Sequence, residues 1–398
     1  MLSKVNPSTG KNIKRFVLLL LFIEFLDELV CGAHAAAWPL IKQDLHLNYS
    51  QIGLLIGLPM VIGNIVESFL GIMGDVWKRR FLVLGGGVFF VLAFFLTAVS
   101  YNFYLLLFSF ILFYPSSGAF VGLSEATLMD LDTKRHEHNM ARWVLAGSLG
   151  VVFGPLVLNG AVFLDLGWRG LYIVFAMLTV VVLVFAWKAP YPSRSGKFEL
   201  KHLKDGFLNV WAALKKWSVT RWLVLLLFSD LMLDVFLGLI ALYFVDVAKA
   251  SPAKAALAVT VWSGVGLLGD ALLIPLLEKV DGLKYLRFSS ACTFIIFVAF
   301  LLISDFWIKI VLLGLLGLLN SGWFSILAAK LYSSMPNQSG TVTTVNNVSG
   351  LIAGLIPMGL GLVAQKYGLN ITMWLLALGP VALLIGIPYN KPSKQLSL

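Results

Sequence analysis

The sequence predicts an all-α membrane protein of twelve transmembrane helices arranged as two pseudo-symmetric six-helix bundles. Three observations predict it. The chain is far more apolar than a water-soluble domain, with 59% hydrophobic and 13% charged residues and a mean hydropathy of +0.89. Apolar runs of about 20 residues, the length that crosses a bilayer as helix, recur from Phe16 almost to the C-terminus. Finally, a pattern returns half a chain later: Phe22, Glu24, Glu28 and Gly32 are matched by Phe228, Asp230, Asp234 and Gly238 at one constant offset. Acid, acid and glycine at four-residue steps in both halves argue for a duplicated architecture.

The spans run over roughly 16–40, 52–76, 81–100, 103–128, 141–164, 170–188, 221–246, 254–278, 285–304, 307–333, 340–366 and 369–389. The first is interrupted by acids and lacks a small-residue cleavage site, so it is expected to remain as a span and not to be removed as a signal peptide. The spans divide the chain into a first bundle over 1–188, a linker over 189–220 and a second bundle over 221–398. The linker opens with the turn-forming APYPSRSG and continues with Leu200, Leu203, Phe207, Trp211 and Leu214 at helical spacing opposite Lys201, Lys204 and Lys215. It reads as an amphipathic helix on the inner leaflet, with a solvated linker as the alternative.

A net charge of +10 would suggest nucleic acid in a soluble protein, but here its distribution sets orientation. With a cytoplasmic N-terminus, an even number of spans returns the C-terminus to the same side. All but six of the 30 Lys and Arg then lie inside, the six being Lys42, Arg169, Lys249, Lys254, Lys309 and Lys366. That asymmetry is the positive-inside pattern of an inner or plasma membrane protein whose basic surface meets anionic lipid. Cys31 and Cys292 offer neither a disulfide framework nor a thiolate metal cluster.

Function is expected in the acids. Glu24, Asp27 and Glu28 share one face of a helix, and Glu67, Glu125, Asp230, Asp234 and Asp270 fall within other spans. Gly63 precedes Glu67 by the same step at which Gly266 precedes Asp270, whereas Asp27 is matched by Leu233. An ionised group in hydrocarbon costs about 2.5–3.5 kcal/mol or more, so such acids face a protein interior or a water-filled cavity. Without basic partners at their depth they cannot all be ionised, so protons or a mobile cation must neutralise them. The alternative for each acid singly is a protonated side chain hydrogen-bonded between helices, a role that suits Glu125 near its helix end.

Weaker candidates line the same spans. Trp38, Tyr114, Trp262 and Trp323 are able to stack on a cation or to anchor helix ends. Asn320, Ser321, Asn346 and Asn347 provide polar lining or bind helices together. His34, about two turns beyond Asp27, is expected to hydrogen-bond its neighbours, with metal ligation beside the acids as the alternative; no metal site is assigned. An acid-lined cavity without a fixed cation favours a cationic, zwitterionic or polyhydroxylated solute over an anion.

Between the second and third spans the chain reads GIMGDVWKRR. Gly71 and Gly74 permit close helix approach, Asp75 accepts charge-assisted hydrogen bonds, and Lys78, Arg79 and Arg80 supply donors. The stretch resembles the cytoplasmic loop signature of the major facilitator superfamily, departing from it at Trp77 and Lys78. The resemblance implies a gating role for this loop. A degenerate second copy, LLEKVDGLKYLR, keeps Glu278 near the position of Asp75. Positive-inside anchoring alone is the alternative for both loops. In the fifth span GSLGVVFGP, with Gly147, Gly150, Gly154 and Pro155, looks like the antiporter motif of the drug:proton exporters in that superfamily. The cation that many of those exporters carry midway along the fourth span is absent from Leu107–Val121.

The resemblance covers nearly the whole chain and implies the major facilitator fold, with spans one and seven lining a central cavity and alternating access between lobes. The expected activity is proton-coupled antiport that exports a small cationic or amphiphilic organic molecule. Glu24, Glu28, Asp230 and Asp234 come first as coupling residues, Glu67 and Asp270 second. Metal-ion or lipid transport, or proton-symport uptake of a small polar solute, is the alternative. The partners expected of this monomer are its solute, protons and membrane lipid, with no cofactor and no nucleic acid. The chain carries no HExxH, nucleophile elbow or phosphate-binding glycine loop, which disfavours an enzyme.

Overall fold

The computed structural model of the chain describes residues 7–76, 79–131, 136–189, 191, 211, 214–335 and 339–388. Among the described residues the regular structure is helical throughout, as a lipid-spanning backbone requires when no water is present to satisfy its polar groups. The helices are α1 (Pro7–Asp44), α2 (Tyr49–Val76), α3 (Arg79–Ala98), α4 (Phe103–Ser117), a π-helical turn (Gly118–Gly122), α5 (Leu123–Leu131), α6 (His136–Phe163) and α7 (Gly167–Trp187) in the first lobe. The second lobe holds α8 (Trp217–Asp230), α9 (Asp234–Asp246), α10 (Pro252–Leu277), α11 (Gly282–Leu302), α12 (Phe306–Asn320), α13 (Trp323–Ser333), α14 (Ser339–Tyr367), α15 (Leu369–Leu375) and α16 (Leu378–Gly386). Most of the expected amphipathic linker, including Leu200, Leu203 and Phe207, lies outside the described residues.

Eleven helical segments among the described residues are long and apolar enough to cross a membrane. Span 1, the 38-residue α1, is the twelfth helix of the fold, and its three mid-helix acids keep it out of that apolar set. Side-chain caps fix several helix starts: Asn102 accepts from the Leu105 N–H, Ser251 from Lys254, Asp281 from Leu283 and Lys284, and Asp305 from Ile308. Apolar side chains such as Phe89, Phe95, Phe163 and Ile385 point outward, the arrangement of a surface solvated by lipid.

Four spans are not the uninterrupted helices the hydropathy suggests. Span 4 continues from α4 to α5 through the π-turn, span 7 is split between α8 and α9 at 231–233, span 10 between α12 and α13 at Ser321 and Gly322, and span 12 between α15 and α16. Gly322 adopts φ +73°, a left-handed backbone that glycine takes without a Cβ penalty. In span 7 the Asn320 side-chain amide of span 10 donates to the Met232 carbonyl at 3.1 Å. One interruption thus satisfies the backbone exposed by another.

Within the first lobe span 1 packs on span 5, span 3 on spans 4 and 6, and span 2 on span 4. The lobes meet where span 2 packs on span 11, span 5 on span 8 and span 1 on span 7. Spans 2 and 11 approach through glycine. A Cβ on Gly53 would meet the Pro357 carbonyl oxygen at 2.5 Å and the Gly361 Cα at 2.9 Å, so the two backbones are in direct contact.

Candidate functional site

The acidic face of span 1 is seated by the glycines of span 5. A Cβ on Gly147 would lie 2.6 Å from Glu24 Oε1 and 3.2 Å from Glu28 Cγ, and one on Gly150 would lie 2.5 Å from the Phe25 carbonyl oxygen. Gly154 approaches the backbone at Ala33, and Gly32 of span 1 reciprocates against Val151. The run ending at Pro155 is therefore a contact surface moulded to the carboxylate-bearing helix, and any side chain at Gly147 would displace Glu24.

The acids of the first lobe converge from three spans. Asp27, which has no counterpart in span 7, accepts hydrogen bonds from the Ser117 hydroxyl of span 4 at 3.0 and 3.1 Å. Glu67 of span 2 lies against Gly118, whose Cβ would stand 2.7 Å from the carboxyl carbon. Tyr114 packs beside Gly63 and is within electrostatic reach of Asp27, Glu67 and Asp234. Glu125, at the start of α5, is within electrostatic reach of Glu24.

The second lobe presents Asp230 and Asp234 on either side of the span 7 interruption, where their carboxyls interact directly. Asp234 reaches across the lobe boundary to the field of Glu28. It also lines a pocket between the lobes with Ile52, Ile56, Leu239, Pro357 and Leu360. This pocket is apolar with one convergent acid. Among the described residues no Lys or Arg is ion-paired with any of these acids; the ion pairs join Lys42 to Asp246, Arg79 to Asp130 and Arg169 to Asp44.

Asp270 of span 8 accepts the Gly322 N–H at 3.0 Å. His34 is turned into the first lobe, with Nδ1 2.5 Å from the Tyr172 hydroxyl and its ring packed edge-on against Trp38 and Phe110. Trp38 is a core residue, 1% exposed. Asn320 is spent on Met232 and on the Thr293 hydroxyl, and Trp323 donates to Ser289 at 2.9 Å. These four side chains hold helices together in this structure and do not line the pocket between the lobes.

At the loop between spans 2 and 3, Arg79 is buried and pairs with Asp130 at the end of span 4, 2.7 Å away. Arg80 donates to the Trp187 carbonyl. Lys78, the side chains of Asp75, Asn346 and Asn347, and the surroundings of Gly71 and Gly74 lie outside the described residues.

Sequence reasoning missed the end of the bundle far from the termini. There Lys42 and Tyr49 of the first lobe both donate to Asp246 of the second at 2.6 Å, and the Tyr49 N–H donates to Gln365 at 3.1 Å. These are the hydrogen bonds between lobes among the described residues, and all lie at this one end. Nothing in the local sequence announces them, because each joins residues about half a chain or more apart.

Comparison with known proteins agrees with this architecture. Over 361 residues, 85% of this chain and 89% of the other, the sequence is 23% identical to the quinolone resistance protein NorA of Staphylococcus aureus (strain COL). It is 27% identical over 189 residues, 47% of this chain and 45% of the other, to a chloramphenicol resistance protein of Pseudomonas aeruginosa. Among solved structures it resembles a bacterial homolog of the human lysosomal transporter Spinster in an inward-facing, occupied conformation, with TM-score 0.76, 14% identity and coverage of 96% and 97% of the two chains. It also resembles the nucleoside transporter NupG, with TM-score 0.75, 14% identity and coverage of 94% and 100%. Residues 20–358 match the sequence model of one family, and with its two packed lobes and membrane-spanning helices the chain is a transporter belonging to the Major Facilitator Superfamily.

Proposed function

We propose that this protein is a proton-coupled antiporter that exports a small cationic or amphiphilic organic molecule. The observation that carries the reading is the approach of Glu28, beside Glu24, to Asp234, beside Asp230, across the lobe boundary, next to an apolar pocket and with no Lys or Arg ion-paired to these four acids among the described residues. Carboxyls so placed take a proton or a cationic solute but not both at full strength, so occupancy by one displaces the other and couples the two fluxes. The resistance proteins among its relatives support export of foreign organic molecules.

With the basic surplus facing the cytoplasm, the contacts among Lys42, Tyr49, Asp246 and Gln365 close the outer end of the transporter. Exchange then requires those contacts to part. The test is flux of ethidium, an aromatic cation, in proteoliposomes under an imposed pH gradient. The gradient drives uptake or release with the native protein, and Glu28→Gln or Asp234→Asn abolishes that response. Unchanged gradient-driven flux in both variants would overturn the assignment.

A further inference from the structure

The two lobes share a second correspondence, away from the acids of spans 1 and 7. Ser117 and Gly118 interrupt span 4, and Ser321 and Gly322 interrupt span 10. Each Ser-Gly step is met by an acid from the neighbouring span of its own lobe. In the second lobe Asp270 Oδ1 accepts the Gly322 N–H at 3.0 Å, capping α13 at its N-terminus, where a negative charge is also favoured by the helix dipole. Span 8 grips the same step a second time, because the Ser321 hydroxyl donates to the Gly266 carbonyl at 3.0 Å. From the other side the Tyr285 hydroxyl of α11 donates to the Ser321 carbonyl at 3.1 Å.

In the first lobe the grip is by packing. Gly118 opens the π-turn, and a Cβ there would stand 2.8 Å from Glu67 Oε1. The side chain of Glu67 therefore occupies the volume that the missing Cβ leaves. A π-turn and a left-handed glycine are different irregularities, yet each is placed at the same step and each is held by the acid of the adjoining span.

We propose that Asp270 and Glu67 are paired positioning residues of the transport cycle, each setting the bend of span 10 or span 4 by its hold on the Ser-Gly step. A packed straight helix has few ways to change its course, so alternating access is served by a joint in each lobe, held in the second by Asp270 with the Ser321 and Tyr285 hydroxyls and in the first by Glu67 beside the Ser117–Asp27 hydrogen bond. The inference rests on the chain working by alternating access; it does not depend on the substrate or the coupling ion. It separates these two acids from Glu28 and Asp234. A positioning acid needs an acceptor oxygen, which asparagine also supplies, whereas a coupling acid needs a group that takes up a proton.

The test places spin labels at cysteines substituted for Val311 on α12 and Tyr332 on α13, both exposed, in a background lacking Cys31 and Cys292, and measures their separation in lipid nanodiscs. Asp270→Ala shifts or broadens the distance distribution, while Asp270→Asn keeps that of the parent. Loss of one charged hydrogen bond is expected to slow ethidium flux about tenfold or more in Asp270→Ala, with Asp270→Asn close to the parent. An unchanged distribution in Asp270→Ala overturns the proposal, as does an Asp270→Asn variant altered as much as Asp270→Ala. If ethidium is not carried, the distance measurement still decides this inference while the reading of the substrate falls. Should Asp270→Ala fail to fold, thermal stability decides through the first lobe: Gly118→Ala destabilises the native protein and is tolerated in Glu67→Ala. Additive effects of those two changes overturn the pairing.

Discussion

The carboxylate of Asp246 is shared by two donors from the opposite lobe, the Lys42 ammonium and the Tyr49 hydroxyl, each 2.6 Å from the same oxygen. The ammonium also lies 4.3 Å from the centre of the Tyr49 ring, so the three side chains form one closed cluster across the lobe boundary. A charged hydrogen bond here favours the closed end over the parted one.

Asp246→Asn is expected to raise the fraction of molecules open at this end about tenfold. The measurement is the rate at which Ile52→Cys, in a background lacking the native cysteines, reacts with a membrane-impermeant maleimide added from the side of the α1–α2 turn. A rate equal to that of the parent would mean that the glycine seam between spans 2 and 11 suffices to keep the end shut.

Gly150→Ala drives a methyl group into the backbone of span 1, with the Leu29 nitrogen only 2.7 Å from the new Cβ. Backbone cannot give way as a side-chain tip does, so a loss of about 1–3 kcal/mol is expected. Gly160 on the same helix faces open space, and Gly160→Ala is expected to be neutral or to stabilise by up to about 1 kcal/mol. Thermal unfolding of the two purified variants, compared side by side, checks the contrast.

Arg79 is 4% exposed, so removing Asp130 takes a carboxylate from beside a buried cation. Asp130→Ala is expected to cost about 3 kcal/mol. Changing both residues, Arg79→Met with Asp130→Leu, recovers part of that loss because the buried cation is removed together with its carboxylate. Equal destabilisation in the single and double variants would show that the pair is not what holds this corner.

Lys309 is buried in the second lobe, donating to the Tyr243 hydroxyl at 2.8 Å and the Phe300 carbonyl at 2.5 Å, with both rings nearby. No carboxylate is ion-paired with it among the described residues. Lys309→Met keeps the length of the side chain and removes the cost of a desolvated charge. A melting temperature equal to or above that of the parent is expected, and a fall of several degrees would show that the hydrogen bonds outweigh burial of the charge.

The acids were legible in the sequence because charge in hydrocarbon is conspicuous against an apolar background and because Glu24 and Glu28 recur as Asp230 and Asp234. The glycines of span 5 marked it as a helix able to pack closely, but nothing local named span 1 as its partner. The interruption of span 7 was not legible. Leu231, Met232 and Leu233 carry no Gly or Pro, and the partner of the Met232 carbonyl is Asn320, far along the chain. His34 and Trp38 seemed suited to a cavity by type, but rotation of α1 turns them into the first lobe, which no local pattern specifies. Ser117 and Gly118 lay in plain view beside Pro115. Their meaning depended on Asp27 and Glu67 arriving from other spans.

The contact of Gly53 with Gly361 belongs to a seam built like pegs in sockets: Met358 fills the space beside Gly57, Val61 that beside Gly354 and Asn64 that beside Gly350. Bare backbone brings the two rods within touching range, and the pegs fix which socket each one occupies. A bulkier residue in any socket would prise the rods apart well beyond its own position, so this seam tolerates change less readily than the lipid-facing surfaces around it.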